Sequence, residues 1–121
     1  MDSTATSITA AFIALADAIS TIKDLPNPKQ HPFRDSLAAV SAGIVQGKPL
    51  LDLSYQEDFL ASVDMNVVMT GSGRFVEIQG AGEEASFSDR QLVAMLKLAR
   101  RGVTELTQIQ RKSLGKQWPI R

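Results

Sequence analysis

The sequence predicts an α+β fold in the order α-β-β-β-β-α, with the helices packed on one face of a four-stranded, mainly antiparallel sheet. Helical spacing of apolar residues at both ends of the chain, four short strand-like runs between them and turn residues separating those runs carry the prediction.

At the first helix, Ile8, Phe12, Leu15, Ile19 and Ile22 recur at steps of three and four, which puts them on one face. Ser3, Thr4, Thr6 and Ser7 stand where side-chain oxygens can accept from the free N–H groups of the first turn. The helix should end near Lys23, since Pro26, Pro28 and Pro32 cannot continue it. Residues 24–36 read as a polar connection. His31, the single histidine, lies in this proline-rich stretch and reads as a surface residue with no catalytic partner.

Four strands are expected next. Leu37 to Val45 is small and apolar, and Gln46-Gly47-Lys48-Pro49 supplies a turn. Leu50 to Gln56 alternates, Val63 to Thr70 is rich in Val and Met, and Gly71-Ser72-Gly73 turns the chain into Arg74 to Gln79. Short connections suggest an antiparallel meander. No helix is expected directly after Gly71-Ser72-Gly73, so a hairpin turn is favoured there over a phosphate loop.

Residues 80–84 close the sheet region. Ser88 with Gln91 three residues on forms a capping-box pattern. Leu92, Leu96, Ala99, Val103 and Leu106 then define the stripe of a helix running to about Leu114, with Gly102 as a point for a bend. The basic tail 115–121 is expected to fray, with Trp118 either disordered or covering a base or a partner surface. Lys97, Arg100, Arg101, Arg111 and Lys112 make the last helix basic. A solvated face is the favoured explanation and RNA contact the alternative.

The bulk numbers bound the function. With 121 residues the chain suits a single domain, 1–121, and 44% hydrophobic with 21% charged residues is a globular balance. Thirteen basic and thirteen acidic side chains cancel, so any attraction for nucleic acid must come from a local patch. The absence of cysteine excludes disulfides and thiolate chemistry. No apolar run reaches the ~20 residues that span a bilayer. Met1-Asp2-Ser3-Thr4 lacks the positive start of a secretory signal, which leaves soluble and cytoplasmic as the expectation.

Chemistry concentrates in Asp52-Leu53-Ser54-Tyr55-Gln56-Glu57-Asp58 and Asp64-Met65-Asn66. If the second strand ends near Glu57 and the third begins near Val63, Asp58 and Asp64 flank one loop and can converge. Two carboxylates plus waters suit Mg²⁺, which takes few protein ligands, and Asn66 shares a strand face with Asp64. From the residues alone, solvated acidic side chains remain the more common outcome for such a loop.

The same residues resemble the C-terminal half of the ribonuclease PH family. Ala38 to Val45, Asp52 to Asp58, Asp64-Met65-Asn66-Val67-Val68-Met69-Thr70 and Gly73 to Gly80 carry the likeness, which Ser7-Ile8-Thr9 and the two helices extend over nearly the whole chain. The resemblance implies a ribosomal-protein-S5-domain-2-like unit and a phosphate-dependent 3′→5′ exoribonuclease trimming transfer-RNA precursors. Inorganic phosphate would be the co-substrate, nucleoside diphosphates the product, Mg²⁺ the cofactor and a homo-oligomeric ring the assembly. The metal and catalytic positions it implies are Asp58 and Asp64, with Asp52, in the same motif, as the runner-up and favoured as structural. Its phosphate grip falls on Ser3 and Thr4.

Two departures qualify the resemblance. The family has an Arg where Thr4 stands, so its bidentate charge clamp is missing, and Asp2 would repel phosphate. A family member also has an N-terminal half with a further phosphate-binding Arg, to which nothing here corresponds. A truncated gene, an alternative start or a split protein would each give this picture. The isolated chain is therefore expected to be weak or inactive in phosphorolysis, and to self-associate or need a partner through an uncovered apolar face. A catalytically inactive structural or RNA-binding subunit of the same fold is the rival expectation.

Overall fold

A computed structural model describes residues 3–22, 33–51, 60–82 and 85–120, with the backbone alone for residues 3 and 4. The first strand, β1 (Leu37–Val45), is built from small and branched apolar residues, and seven of its nine positions are buried. A strand covered on both faces belongs in the middle of a sheet, and β1 is hydrogen-bonded on both sides.

One neighbour is β2 (Lys48–Leu51), reached through Gln46 and Gly47, whose φ values of 52° and 79° give the two-residue hairpin its twist. The expected turn is thus shortened, because Lys48 and Pro49 already pair with Val45 and Ile44. The other neighbour is β3 (Val63–Thr70), which carries β4 (Phe75–Gly82) on its far side. All pairings are antiparallel, in the order β2-β1-β3-β4. This corrects the meander: β3 lies on the opposite side of β1 from β2. The physical reason is β1 itself, an apolar strand that must be paired on both edges. β4 outlasts its expected end at Gln79, running on to Gly82 opposite Val63.

The long helix α2 (Asp89–Leu114) starts at Ser88 as expected. The Gln91 N–H donates to Ser88 Oγ at 3.2 Å and the Ser88 N–H donates to Gln91 Oε1 at 2.9 Å. Its buried Met95, Ala99 and Val103 meet Ala38, Val40, Ala42 and Ile44 of β1 and Val63, Met65, Val67 and Met69 of β3. These alternate positions are the side chains of one sheet face. Gly102 lets the helix come close: a Cβ there would stand 2.9 Å from Leu51 Cδ2 and 3.1 Å from Val40 Cγ1. Its role is close packing on the sheet.

The first helix, α1 (Ser3–Ser20), does not share that face. Its Ala5 and Ile8 pack with Ala39, Val68 and Leu37, the residues of opposite parity on the same strands. The sheet therefore has a helix on each face, and the expected one-face packing is corrected. With 26 residues, α2 extends ~39 Å and already covers its face. Meanwhile, among the described residues, β2 pairs only with residues 42–45, and α1 reaches the edge of β1 at Ala39. Thr9 makes that contact, its hydroxyl accepting from the Ala39 N–H at 3.1 Å and donating to the Ala39 carbonyl at 3.2 Å. The helix stops at Ser20, short of Lys23, where the Ser20 and Thr21 hydroxyls turn back onto the Asp17 and Ala18 carbonyls.

The tail is ordered where fraying was expected. Residues Gly115–Gln117 form a 3₁₀ turn, and the Trp118 ring packs edge-on to Phe12 at 5.8 Å between centroids. Phe12 also meets Phe33 at 5.4 Å. Leu114 and Ala16 complete this small cluster, which gives Trp118 an apolar seat.

Candidate active site

Asp64 enters the structure one residue into β3, where Ser62 fixes the approach: its N–H donates to the Ile44 carbonyl at 2.9 Å and its hydroxyl reaches the same oxygen at 3.3 Å. Strand alternation puts Asp64, Asn66 and Val68 on the face opposite α2. The cross-strand neighbours of Asp64 are Gly43 on β1 and Ala81 on β4. Neither has a side chain of any length, so no bulky cross-strand neighbour covers Asp64. Asn66, one step along, lies between Ser41 and Gln79. Its Oδ1 is buried and has no hydrogen-bond partner.

α1 runs along the same face. Phe12 and Ala16 pack at the Leu37 end with Leu114, whereas Ala5 packs on Ala39 and Val68. The helix N-terminus is thus directed along the strands toward the end that holds Asn66 and Asp64. Its first turn carries no acidic residue, and its free N–H groups favour an anion. Ser3 and Thr4 lie in that turn. Asp58, like Asp52, falls outside the described residues.

The fit of a divalent cation can be judged from the donors present. Among the described residues no group of three or more His, Cys, Asp or Glu gathers into a ligand set. The oxygens at hand are one carboxylate and, beside it, a buried amide oxygen lacking a partner. A hard, oxygen-only set of low count suits Mg²⁺, which retains several waters.

Two residues that position the site were not singled out by sequence. Gln110, fully buried, donates from Nε2 to the Thr9 carbonyl at 3.1 Å and the Leu37 carbonyl at 2.9 Å. It fixes α1 against the start of β1. Its signal is a polar residue on the apolar stripe, four residues from both Leu106 and Leu114. Thr9 was visible only within Ser7-Ile8-Thr9. A groove of about 480 Å³, mainly apolar, lies at the other end of α1 and includes Phe12, Leu15, Phe33 and Leu37. It is separate from Asp64.

Comparison with known proteins bears on this arrangement. The model of the 3′ exoribonuclease family, domain 2, matches residues 35–102. A ribonuclease PH of Corynebacterium efficiens is 52% identical over 108 residues, covering 89% of this chain and 44% of that protein. A ribonuclease PH of Listeria monocytogenes is 48% identical over 110 residues, covering 90% of this chain and again 44% of the relative. The chain thus spans under half the length of these relatives. The crystal structure of rice (Oryza sativa) Rrp46 superposes with a TM-score of 0.67 at 17% identity, covering 88% of this chain and 45% of that one. At that identity the likeness concerns the fold.

Proposed function

The chain belongs to the 3′ exoribonuclease family, as its domain 2, and from that we propose that it carries the metal-ligating half of a phosphorolytic 3′→5′ exoribonuclease. Its substrates in this reading are the 3′ ends of transfer-RNA precursors. An oxygen of inorganic phosphate attacks the terminal phosphodiester phosphorus. The bond to the preceding 3′-oxygen breaks, that oxygen takes up a proton, and a nucleoside diphosphate leaves.

The observation that supports this best is the placement of Asp64 between Gly43 and Ala81 on the face along which α1 directs its N-terminus. A carboxylate site and an anion-binding helix end are what phosphoryl transfer between anions requires. Mg²⁺, when bound, would neutralise charge developing on the phosphoryl oxygens. Asp64 and Asp58 would hold it, with Asn66 Oδ1 beside them. The first-turn N–H groups of α1, with the hydroxyls of Ser3 and Thr4, would receive the phosphate.

Residues 1–121 act in this reading as one unit, equivalent to the C-terminal half of the relatives. The apolar groove along α1, with Leu15 53% exposed, supports a covering partner, either the complementary half or another copy within a homo-oligomeric ring. Among the described residues no helix is long and apolar enough to cross a membrane. A cytoplasmic setting is part of the proposal.

A second reading rests on Thr4, at which the resemblance would place the family's phosphate-gripping Arg. Without that cation the chain would serve as an inactive structural or RNA-binding subunit. Phosphate-dependent release of nucleoside diphosphates from a 3′-extended transfer RNA tests the two. Activity lost in both Asp58→Ala and Asp64→Ala supports the enzyme. No turnover by the folded chain in excess phosphate and Mg²⁺ favours the structural subunit.

A further inference from the structure

The balance of thirteen cations against thirteen carboxylates hides a strong segregation of charge. Residues 89–117, α2 and its 3₁₀ extension, hold seven of the cations and only two carboxylates, Asp89 and Glu105. The rest of the chain carries six cations and eleven carboxylates. The excess of five positive charges is thus collected on one helix and its extension, and an equal negative excess lies elsewhere.

Helical geometry sharpens this. Met95, Ala99, Val103 and Gln110 mark the side of α2 that is buried. At 100° per residue, Arg90, Lys97, Arg101 and Lys112 fall within a narrow sector on the opposite side, and all four are exposed. From Arg90 to Lys112 the stripe runs ~33 Å, about the length of ten stacked nucleotides at ~3.4 Å each. Arg100 is not part of it: its guanidinium donates to the Gly73 carbonyl at 2.9 Å and lies 5.3 Å from the Phe75 ring centre.

We propose that this outer stripe of α2 is a binding surface for the phosphate backbone of RNA, separate from the candidate active site. It rests on the reading of the chain as an RNA-processing protein. α2 covers the sheet face opposite Asp64, so the stripe contacts the body of a long substrate and leaves the reacting 3′ end alone. A membrane surface is disfavoured, because the apolar side of α2 is committed to the core and cannot enter lipid. An extended single-signed array of Arg and Lys with one carboxylate, Glu105, inside its length matches a regularly charged polyanion.

The test is an anisotropy titration of the full chain with 3′-extended transfer RNA and with a short oligoribonucleotide, from 50 to 200 mM salt. The triple variant Lys97→Glu, Arg101→Glu, Lys112→Glu is expected to lose tenfold or more in affinity for the long RNA. The slope of log affinity against log salt should fall by about two to three, at ~0.7–0.9 for each phosphate no longer neutralised. A triple Gln variant should show a smaller loss, and the exchange Lys97→Arg, Arg101→Lys, Lys112→Arg should keep binding. An unchanged affinity in the folded Glu variant, or no binding of long RNA by the unmodified chain, would overturn the proposal. So would displacement of the RNA by polyglutamate at equal charge, which would make this an acidic-protein surface. Normal phosphorolysis by Asp64→Ala beside lost binding in the stripe variant would sink the active-site reading and leave the stripe standing.

Discussion

Thr9 and Ala39 exchange two hydrogen bonds through a single hydroxyl, so the edge of β1 at Ala39 is met by a side chain from α1. Thr9→Val keeps the shape and removes both bonds, leaving a main-chain N–H and carbonyl without partners. We expect a loss of ~1–3 kcal/mol in denaturant unfolding. Because α1 also carries the proposed phosphate contacts, phosphate affinity by calorimetry should fall in the same variant.

Gln110 ties the far side of this junction. Gln110→Leu fits the apolar stripe by volume yet removes the side-chain donor to the Leu37 carbonyl and the second donor to the Thr9 carbonyl, and should cost ~1–3 kcal/mol. Hydrogen exchange should rise in α1 before it rises in α2. Simultaneous loosening of both helices would show that Gln110 has no special hold on α1.

Gly102 offers a test of packing. Gly102→Ala gains about 1 kcal/mol of helix propensity but drives a methyl group into Leu51 and Val40. Overpacking of this kind costs ~1–3 kcal/mol, so the net effect should be destabilising. Pairing it with Leu51→Ala should recover part of the loss, and a non-additive double-mutant cycle is the readout.

Asp64 and Asn66 are expected to act together on a divalent cation. Saturating Mg²⁺ at ~100 times its dissociation constant should stabilise the fold by ~2.7 kcal/mol, seen as a raised melting temperature. Asp64→Asn should remove most of that rise, and Asn66→Ala a smaller part, each measured against the variant's own metal-free melting point. An equal rise in all three proteins would place the cation elsewhere.

β4 is exposed along its whole length, with Phe75, Val76 and Ile78 at 41%, 60% and 45% accessibility. Such an edge pairs readily with another strand. Sedimentation should reveal concentration-dependent association, and Ile78→Lys should shift it toward the monomer.

The parts of this fold that were legible in sequence are those fixed by local chemistry. The Ser88–Gln91 capping box is a contact three residues apart, and β1 announces itself by an unbroken apolar run. What escaped depends on distant partners. The position of β3 beside β1 follows from the need to pair both edges of a buried strand, which no local pattern encodes. Likewise α1 is held to β1 by Thr9 at Ala39, thirty residues away, and Trp118 is held by Phe12, more than a hundred residues away. At the site, Asp64 and Asn66 were readable as a same-face pair by alternation. Their small neighbours, Gly43 and Ala81, became visible only with the register.

The segregation of charge along the sequence leaves this electrically neutral chain with a strongly cationic helix in α2. It should be retained on both cation- and anion-exchange media at neutral pH, in contrast to an evenly charged protein of zero net charge. In the field of a polyanion it would be turned before it touches, presenting the outer side of α2. Orientation on approach is thus written into where the charges sit, independent of their sum.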